Sequence, residues 1–336
     1  MSWHEIQGHD AIFERFRSAY LRGRLSGSFL FIGVSGIGKK RFALALAKGL
    51  LCKKKNSREL DPCGVCESCL QFKSNNPQPK PTDIISTHPD LFYISKPVDK
   101  SFIPLEFLIG SKERRGEEGL CFDISRTPYL GNFKVAIIDD ADYLNAEGAN
   151  AILKTLEEPP TDSLLILIGT STAKQLPTIR SRCRIIRFSP LPPRTLASIL
   201  MQNEIVESFE QGLNLAKRSG GSYDQAKELY DDAIDKIRTE LNKYMSSRYI
   251  DSVNLAAQLN NFIEEAGKEA PIRRRRFKLI LNICIDHFRE NLKQADSYES
   301  MQIISERLNR TLDAIEQIDM NANLPFIVES WSNKLN

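Results

Sequence analysis

The chain has 336 residues, 41% of them apolar and 26% charged, with a formal net charge of +3. This composition excludes a disordered chain, and so small a net charge does not by itself argue for nucleic acid. The length predicts two or three domains, and no apolar run approaches the roughly 20 residues of a membrane-spanning helix. The start, Met1-Ser2-Trp3-His4-Glu5, lacks the basic and apolar regions of a signal peptide, so the cytoplasm is the expected compartment.

Up to residue ~190, apolar runs alternate with helical patterns, which predicts a mostly parallel α/β sheet. Phe29-Leu30-Phe31-Ile32 reads as a buried strand. The next segment, Lys39 to Leu51, reads as a helix with Phe42, Ala43, Leu46, Ala47 and Leu50 on one face. Further strands are expected at Leu91–Ile94, Val135–Ile138, Leu164–Gly169 and Ile185–Phe188. Asn145 is placed to cap a helix that Pro159-Pro160 stop. Ser74 to Pro81 reads as a polar loop, and Ser111 to Gly119 as an exposed insertion. His88-Pro89-Asp90 reads as a capped turn before a strand.

The run Ser189-Pro190-Leu191-Pro192-Pro193 marks a boundary, beyond which only helical periodicity remains. The expected division is 1–190, a small helical domain at 191–240, and a larger helical domain at 241–336. Arg273 to Arg276 fall at the start of a helix. Consecutive residues point around a helix, so a solvated or subunit-contacting end weighs against nucleic-acid contact there.

Between the first strand and its helix lies Gly33-Val34-Ser35-Gly36-Ile37-Gly38-Lys39-Lys40. This follows the phosphate-loop pattern G-x-x-x-x-G-K-[ST] up to its last place. The glycines Gly33, Gly36 and Gly38 let backbone N–H groups close around phosphates, and Lys39 would reach the terminal ones. The hydroxyl that should hold Mg²⁺ is replaced by Lys40, which has no lone pair to give. Asp139-Asp140 follow the Val135–Ile138 strand, where the first acid of a nucleotidase holds Mg²⁺ and the second orients water. The loop therefore reads either as a working ATPase site or as one that keeps the shape without the chemistry.

Cys52, Cys63, Cys66 and Cys69 are four of the seven cysteines and fall within 18 residues. Four thiolates at C-x10-C-x2-C-x2-C spacing fit a tetrahedral Zn²⁺, and full sulfur ligation leaves no place for water, so the expected role is structural. Cys121, Cys183 and Cys284 are isolated and read as small side chains.

These pieces resemble bacterial clamp-loader subunits of DNA polymerase III, within the AAA+ class. The resemblance rests on the phosphate loop, the four-cysteine insert after its helix, His88-Pro89-Asp90, and Lys134 to Asp142. It continues in Asn150-Ala151-Ile152-Leu153-Lys154-Thr155-Leu156-Glu157-Glu158-Pro159-Pro160 and Leu176-Pro177-Thr178-Ile179-Arg180-Ser181-Arg182-Cys183. It covers residues ~3 to ~190 and implies an α/β AAA+ domain with a parallel five-stranded sheet, then an all-α lid and an all-α collar.

Two subunit types share these strings, the gamma/tau ATPase and the delta-prime type. Lys40 for a hydroxyl, Asp140 for the commoner Glu, and Asp224 where the ATPases carry a phosphate-binding arginine all resemble delta-prime. That type implies a stator without ATPase activity of its own, a component of the DNA polymerase III holoenzyme. Its implied partners are the gamma/tau and delta subunits, and through the complex the sliding clamp and primed DNA, with no membrane partner. The resemblance also implies that Arg182 is an arginine finger for a neighbouring subunit's nucleotide, against an ion pair within its own domain. ATP and Mg²⁺ are doubtful ligands of the chain's own site. The alternatives are an active gamma/tau-like ATPase and a zinc-bearing DNA-binding adapter.

Overall fold

The computed structural model of the chain describes residues 3, 6–54, 60–72, 88–97, 99–131, 133–230, 232–246, 250–267, 269–295, 297–320 and 322–335. The polar loop expected at Ser74 to Pro81 lies outside them. The chain forms two compact units, Met1–Ala226 and Lys227–Asn336.

The first unit opens with α1 (Asp10–Leu21), β1 (Gly27–Ile32) and α2 (Lys39–Leu51). There follow α3 (Glu67–Leu70), β2 (Leu91–Ile94), α4 (Leu105–Ile109), α5 (Leu120–Ser125), β3 (Lys134–Ile138) and α6 (Ala146–Glu157). Then come β4 (Ser163–Gly169), α7 (Pro177–Arg180), β5 (Arg184–Arg187), α8 (Pro193–Gln202), α9 (Phe209–Arg218) and α10 (Tyr223–Leu229), across which the two units divide.

All five strands expected from the apolar runs are present and form one parallel sheet in the order β2-β3-β4-β1-β5. Side chains alternate across a strand, so the sheet feeds two cores. Phe29 and Phe31 of β1 join Phe16, Phe42 and Phe188 on one face, while Leu30 and Ile32 join Ile138, Leu165 and Ile179 on the other. β3 and β4 are buried throughout, as parallel strands covered on both faces should be.

α2 is buried along nearly its whole length. Asn145 caps α6 as expected, its side chain accepting from the Gly148 N–H at 2.8 Å. The helix ends at Glu157, ahead of Pro159 and Pro160. Most of Ser111 to Gly119 is exposed, as expected.

The second unit contains α11 (Asp232–Ser246), α12 (Ser252–Glu265), α13 (Ala270–Gln294), α14 (Tyr298–Asp319) and α15 (Leu324–Asn333). Its core gathers Phe277, Phe288 and Trp331, and the Trp331 indole donates to Thr311 Oγ1 at 3.1 Å. Arg273 to Arg276 are used within this unit. Arg273 Nε donates to Gly267 O at 2.7 Å, Arg274 donates to Ala322 O, Arg275 pairs with Glu228, and Arg276 lies 4.0 Å over the Phe262 ring. Among the described residues no helix is long and apolar enough to cross a membrane.

Candidate nucleotide-like cleft and metal knuckle

Parallel strands open their carboxyl ends into a crevice. Here that crevice collects the loop after β1, Asp139 and Asp140 after β3, and Thr170 after β4. It encloses a cavity of about 570 Å³ that also includes Asp142, Lys174, Tyr223 and Asp224.

The phosphate loop is closed on itself. Lys39 Nζ donates to Gly33 O at 2.5 Å and to Val34 O at 2.6 Å, instead of extending into the cavity. Lys39 is buried, and desolvation holds its pKa below the usual lysine value, against the attraction of Asp139, Asp142, Asp224 and Asp140. His9 Nε2 donates to Ile37 O at 2.7 Å, since a carbonyl can only accept. Tyr223 N–H donates to Gly36 O at 2.9 Å. Gly36 has φ +74°, and a Cβ there would strike Ser222 Oγ and lie 2.8 Å from Asp224 N. The segment carrying Ser222 to Asp224 therefore seals the loop from above.

Lys40 stands where the metal-binding hydroxyl would be. Its ammonium is 3.5 Å from Asp139 Oδ2 and 4.8 Å from the centre of the Tyr93 ring. Tyr93 donates its phenolic proton to the same carboxylate at 2.7 Å. Burial and the Asp139 charge push the Tyr93 pKa far up, so the phenol stays a donor. Asp140 sits at φ 57°, a left-handed backbone, and burial followed by Asp139 raises its pKa. Lys40 and Tyr93 thus both engage the same oxygen of Asp139. Asp142 accepts from Thr170 N–H at 2.9 Å, from the Thr170 hydroxyl, and from the Gln175 amide, tying the end of β3 to the end of β4.

The sequence gives Tyr93, Ser222 and Asp142 no role of their own, although Asp142 falls within the Lys134 to Asp142 string. Tyr93 reads only as part of an apolar strand, and nothing along the chain pairs it with a residue 46 positions later.

Arg182 lies on the turn beyond α7. Its Nη2 is 2.5 Å from Glu157 Oε1 and its Nη1 donates to Thr178 O at 3.1 Å. Within the single chain the guanidinium is held by its own domain.

The four sulfurs of Cys52, Cys63, Cys66 and Cys69 lie within 4.8 Å of one another. Cys52 and Cys66 sulfurs are 3.8 Å apart, and those of Cys63 and Cys69 are 4.0 Å apart. A tetrahedral ion with sulfur ligands at about 2.3 Å requires sulfurs about 3.8 Å apart, so the cluster can hold a metal ion. Burial opposes charge on Cys66, but N–H donors from Cys69 and Lys53 hold its pKa down to about 6.

A buried chain of hydrogen bonds braces this knuckle. Asp90 N–H donates to His88 Nδ1 at 3.0 Å, so His88 carries its proton on Nε2. Nε2 donates to Ser68 Oγ at 2.7 Å, and Ser68 donates to Leu51 O at 2.5 Å. Ser68 lies between Cys66 and Cys69, and Leu51 precedes Cys52. The expected turn at His88-Pro89-Asp90 is thus also the prop of the knuckle. Asp90 in turn accepts from the N–H groups of Tyr129 and Leu130.

A family model described as "DNA polymerase III, delta subunit" matches residues 8–192, more than half of the chain. The chain belongs to that family. Among its curated relatives, the DNA polymerase III subunit delta' of Bacillus subtilis is 30% identical over 61% of this chain and 55% of its own length. The delta' subunit of Escherichia coli is 28% identical over 65% of this chain and 58% of its own length. The gamma/tau subunit of Mycobacterium tuberculosis is 30% identical over 59% of this chain and 30% of its own length. In each case the match spans less than two thirds of the relative. With the family shown, the parallel sheet and helical second unit are an AAA+ architecture.

Proposed function

We propose that this chain is a delta-prime-type stator of a DNA polymerase III clamp loader, binding gamma/tau and delta subunits and helping to load the sliding clamp on primed DNA. The observation that carries this reading is the Lys40–Asp139 pair, beside a Lys39 spent on its own loop carbonyls. Lys40 puts a cation where an ATPase needs a metal-binding hydroxyl and pairs with the carboxylate that would hold the metal, and the lysine that would reach phosphate bonds to its own loop. The stator then hydrolyses no ATP itself, and Arg182, exchanging Glu157 for a neighbour's γ-phosphate, serves as a finger in trans. The lid at 191–240 and the collar at 241–336 belong to the same proposal. So does the compartment, the cytoplasm, where thiols stay reduced and free to bind metal. The metal proposed for Cys52, Cys63, Cys66 and Cys69 is a structural Zn²⁺, which would supply folding energy to the knuckle and no reaction step.

The test is reconstitution. The purified chain is mixed with gamma/tau and delta subunits, and ATP turnover and clamp loading are measured with and without it. Loading that depends on the chain, with no turnover by the chain alone, is the expected result. Turnover by the isolated chain that Lys39→Ala abolishes would instead favour a gamma/tau-like ATPase.

A further inference from the structure

The basic run visible in the sequence, Arg273 to Arg276, is consumed by contacts in its own unit. A second set of arginines is completed only by the fold, which brings Arg184 to three that lie within ten residues of one another. Arg15 of α1, Arg22 at its C-terminal cap, Arg24 just beyond, and Arg184 at the start of β5 line one open cleft of about 500 Å³. All four residues are exposed. Among the described residues none of the four pairs with a carboxylate. The one acid lining the cleft, Glu14, is turned to Arg17 at 3.1 Å. Arg184 is steadied over the Phe29 ring, 5.8 Å from its centre.

Like charges gathered without counter-charges repel, and they are relieved by an anion. The geometry describes that anion further. Arg15 and Ser18 share one face of α1, and Arg22, the cap residue whose N–H bonds Ser18 O, continues it about 10 Å from Arg15 along the helix axis. Ser18 and Ala19 are small and leave the floor between them open. A single phosphate can meet only one end of such a row. A nucleic-acid strand carries a charge about every 3.4 Å and can meet its whole length. Guanidinium forks suit phosphate oxygens bidentately, and the cleft presents no aromatic face on which a base could stack.

We propose that the α1–β5 cleft, through Arg15, Arg22, Arg24 and Arg184, binds the phosphodiester backbone of nucleic acid without reading its sequence. This contact is independent of the nucleotide-like cleft and of the clamp-loader reading.

The experiment is fluorescence anisotropy of a labelled 20-base-pair duplex with the full chain, titrated across 50–200 mM salt. Arg15→Ala and Arg22→Ala are exposed changes, and thermal melting checks that each variant is folded. Each arginine lost should lower the slope of log affinity against log salt by about 1 and weaken binding several-fold at low salt, equally for unrelated sequences. A wild-type chain that does not bind the duplex at 50 mM salt overturns the proposal. So do variants with the wild-type slope, or loss of binding in Arg275→Ala but not in the cleft variants. Inorganic pyrophosphate displacing the duplex at equal phosphate concentration would identify a small-anion site and overturn it too. Poly-glutamate displacing it equally well would assign the cleft to acidic protein.

Discussion

The ammonium of Lys40 and the carboxylate of Asp139 lie 3.5 Å apart, an internal ion pair at the position where an ATPase of this architecture keeps Mg²⁺. The pair is partly exposed, 42% and 16%, so its contribution to stability is under about 1 kcal/mol. Its importance is chemical. Lys40→Thr restores the hydroxyl but leaves Lys39 bound to Gly33 O and Val34 O, and leaves Asp224 over the loop. The expected outcome is a folded variant that still releases no phosphate from ATP in a coupled assay. Turnover by Lys40→Thr alone would show that the closed loop is no barrier.

Gly36 is the point where that closure is most sensitive. Its φ of +74° and the proximity of Ser222 and Asp224 leave no room for a Cβ. Gly36→Ala should lower stability by about 1–3 kcal/mol in urea denaturation, combining backbone strain with displacement of the Ser222 segment. The double variant Gly36→Ala/Ser222→Gly should recover only part of the loss, because the collision with the Ser222 hydroxyl is removed while the backbone strain and the close approach to Asp224 remain.

Arg182 should separate stability from function. Its bond to Glu157 is a surface pair, so Arg182→Ala should change melting by less than about 1 kcal/mol. In a reconstituted complex the same change should reduce ATP turnover and clamp loading partially, since only one neighbouring site would use this arginine. Glu157→Gln, which frees the guanidinium, should leave both rates intact. Full activity with Arg182→Ala would confine Arg182 to its own domain.

The knuckle should carry one metal ion per chain by elemental analysis. Cys66→Ser should lose it. Ser68→Ala removes the link between His88 and Leu51, and should speed transfer of the metal to a colorimetric chelator by about 10–100-fold while the cysteines remain. Unchanged release from Ser68→Ala would reduce His88 and Ser68 to packing.

His9 and His88 are both buried, and burial lowers both pKa values below 6.5. A lowered histidine pKa means that the unfolded chain takes up a proton the folded chain resists. Their contribution to stability is therefore complete above pH 6.5 and is lost as pH falls from 6.5 toward the folded pKa. Melting temperature should drop between pH 7 and pH 5. His9→Gln should flatten part of that drop, and the difference between variant and wild type separates His9 from acid release of metal at the cysteines.

The strands of the sheet, helix α2, the capped helix α6, the four-cysteine cluster and the altered phosphate loop were all legible along the chain. Each depends on a local pattern: a continuous apolar run, a 3.6-residue period, a cap, or four cysteines within 18 residues. The strand order was not readable in this way, because it is set by which strands share long-range pairing. Nor was the fate of the charges. Lys39 and Lys40 are adjacent in sequence, yet only the folded crevice decides that one turns to its own carbonyls and the other to Asp139, 99 residues away. Arg273 to Arg276 stand out as a basic run and are spent on internal partners, while Arg15, Arg22, Arg24 and Arg184 are unremarkable in sequence and meet in one cleft. Local pattern determines which elements form, because propensity and burial act over a few residues. Which charges find partners is decided by distance in space, and that exists only once the sheet has closed.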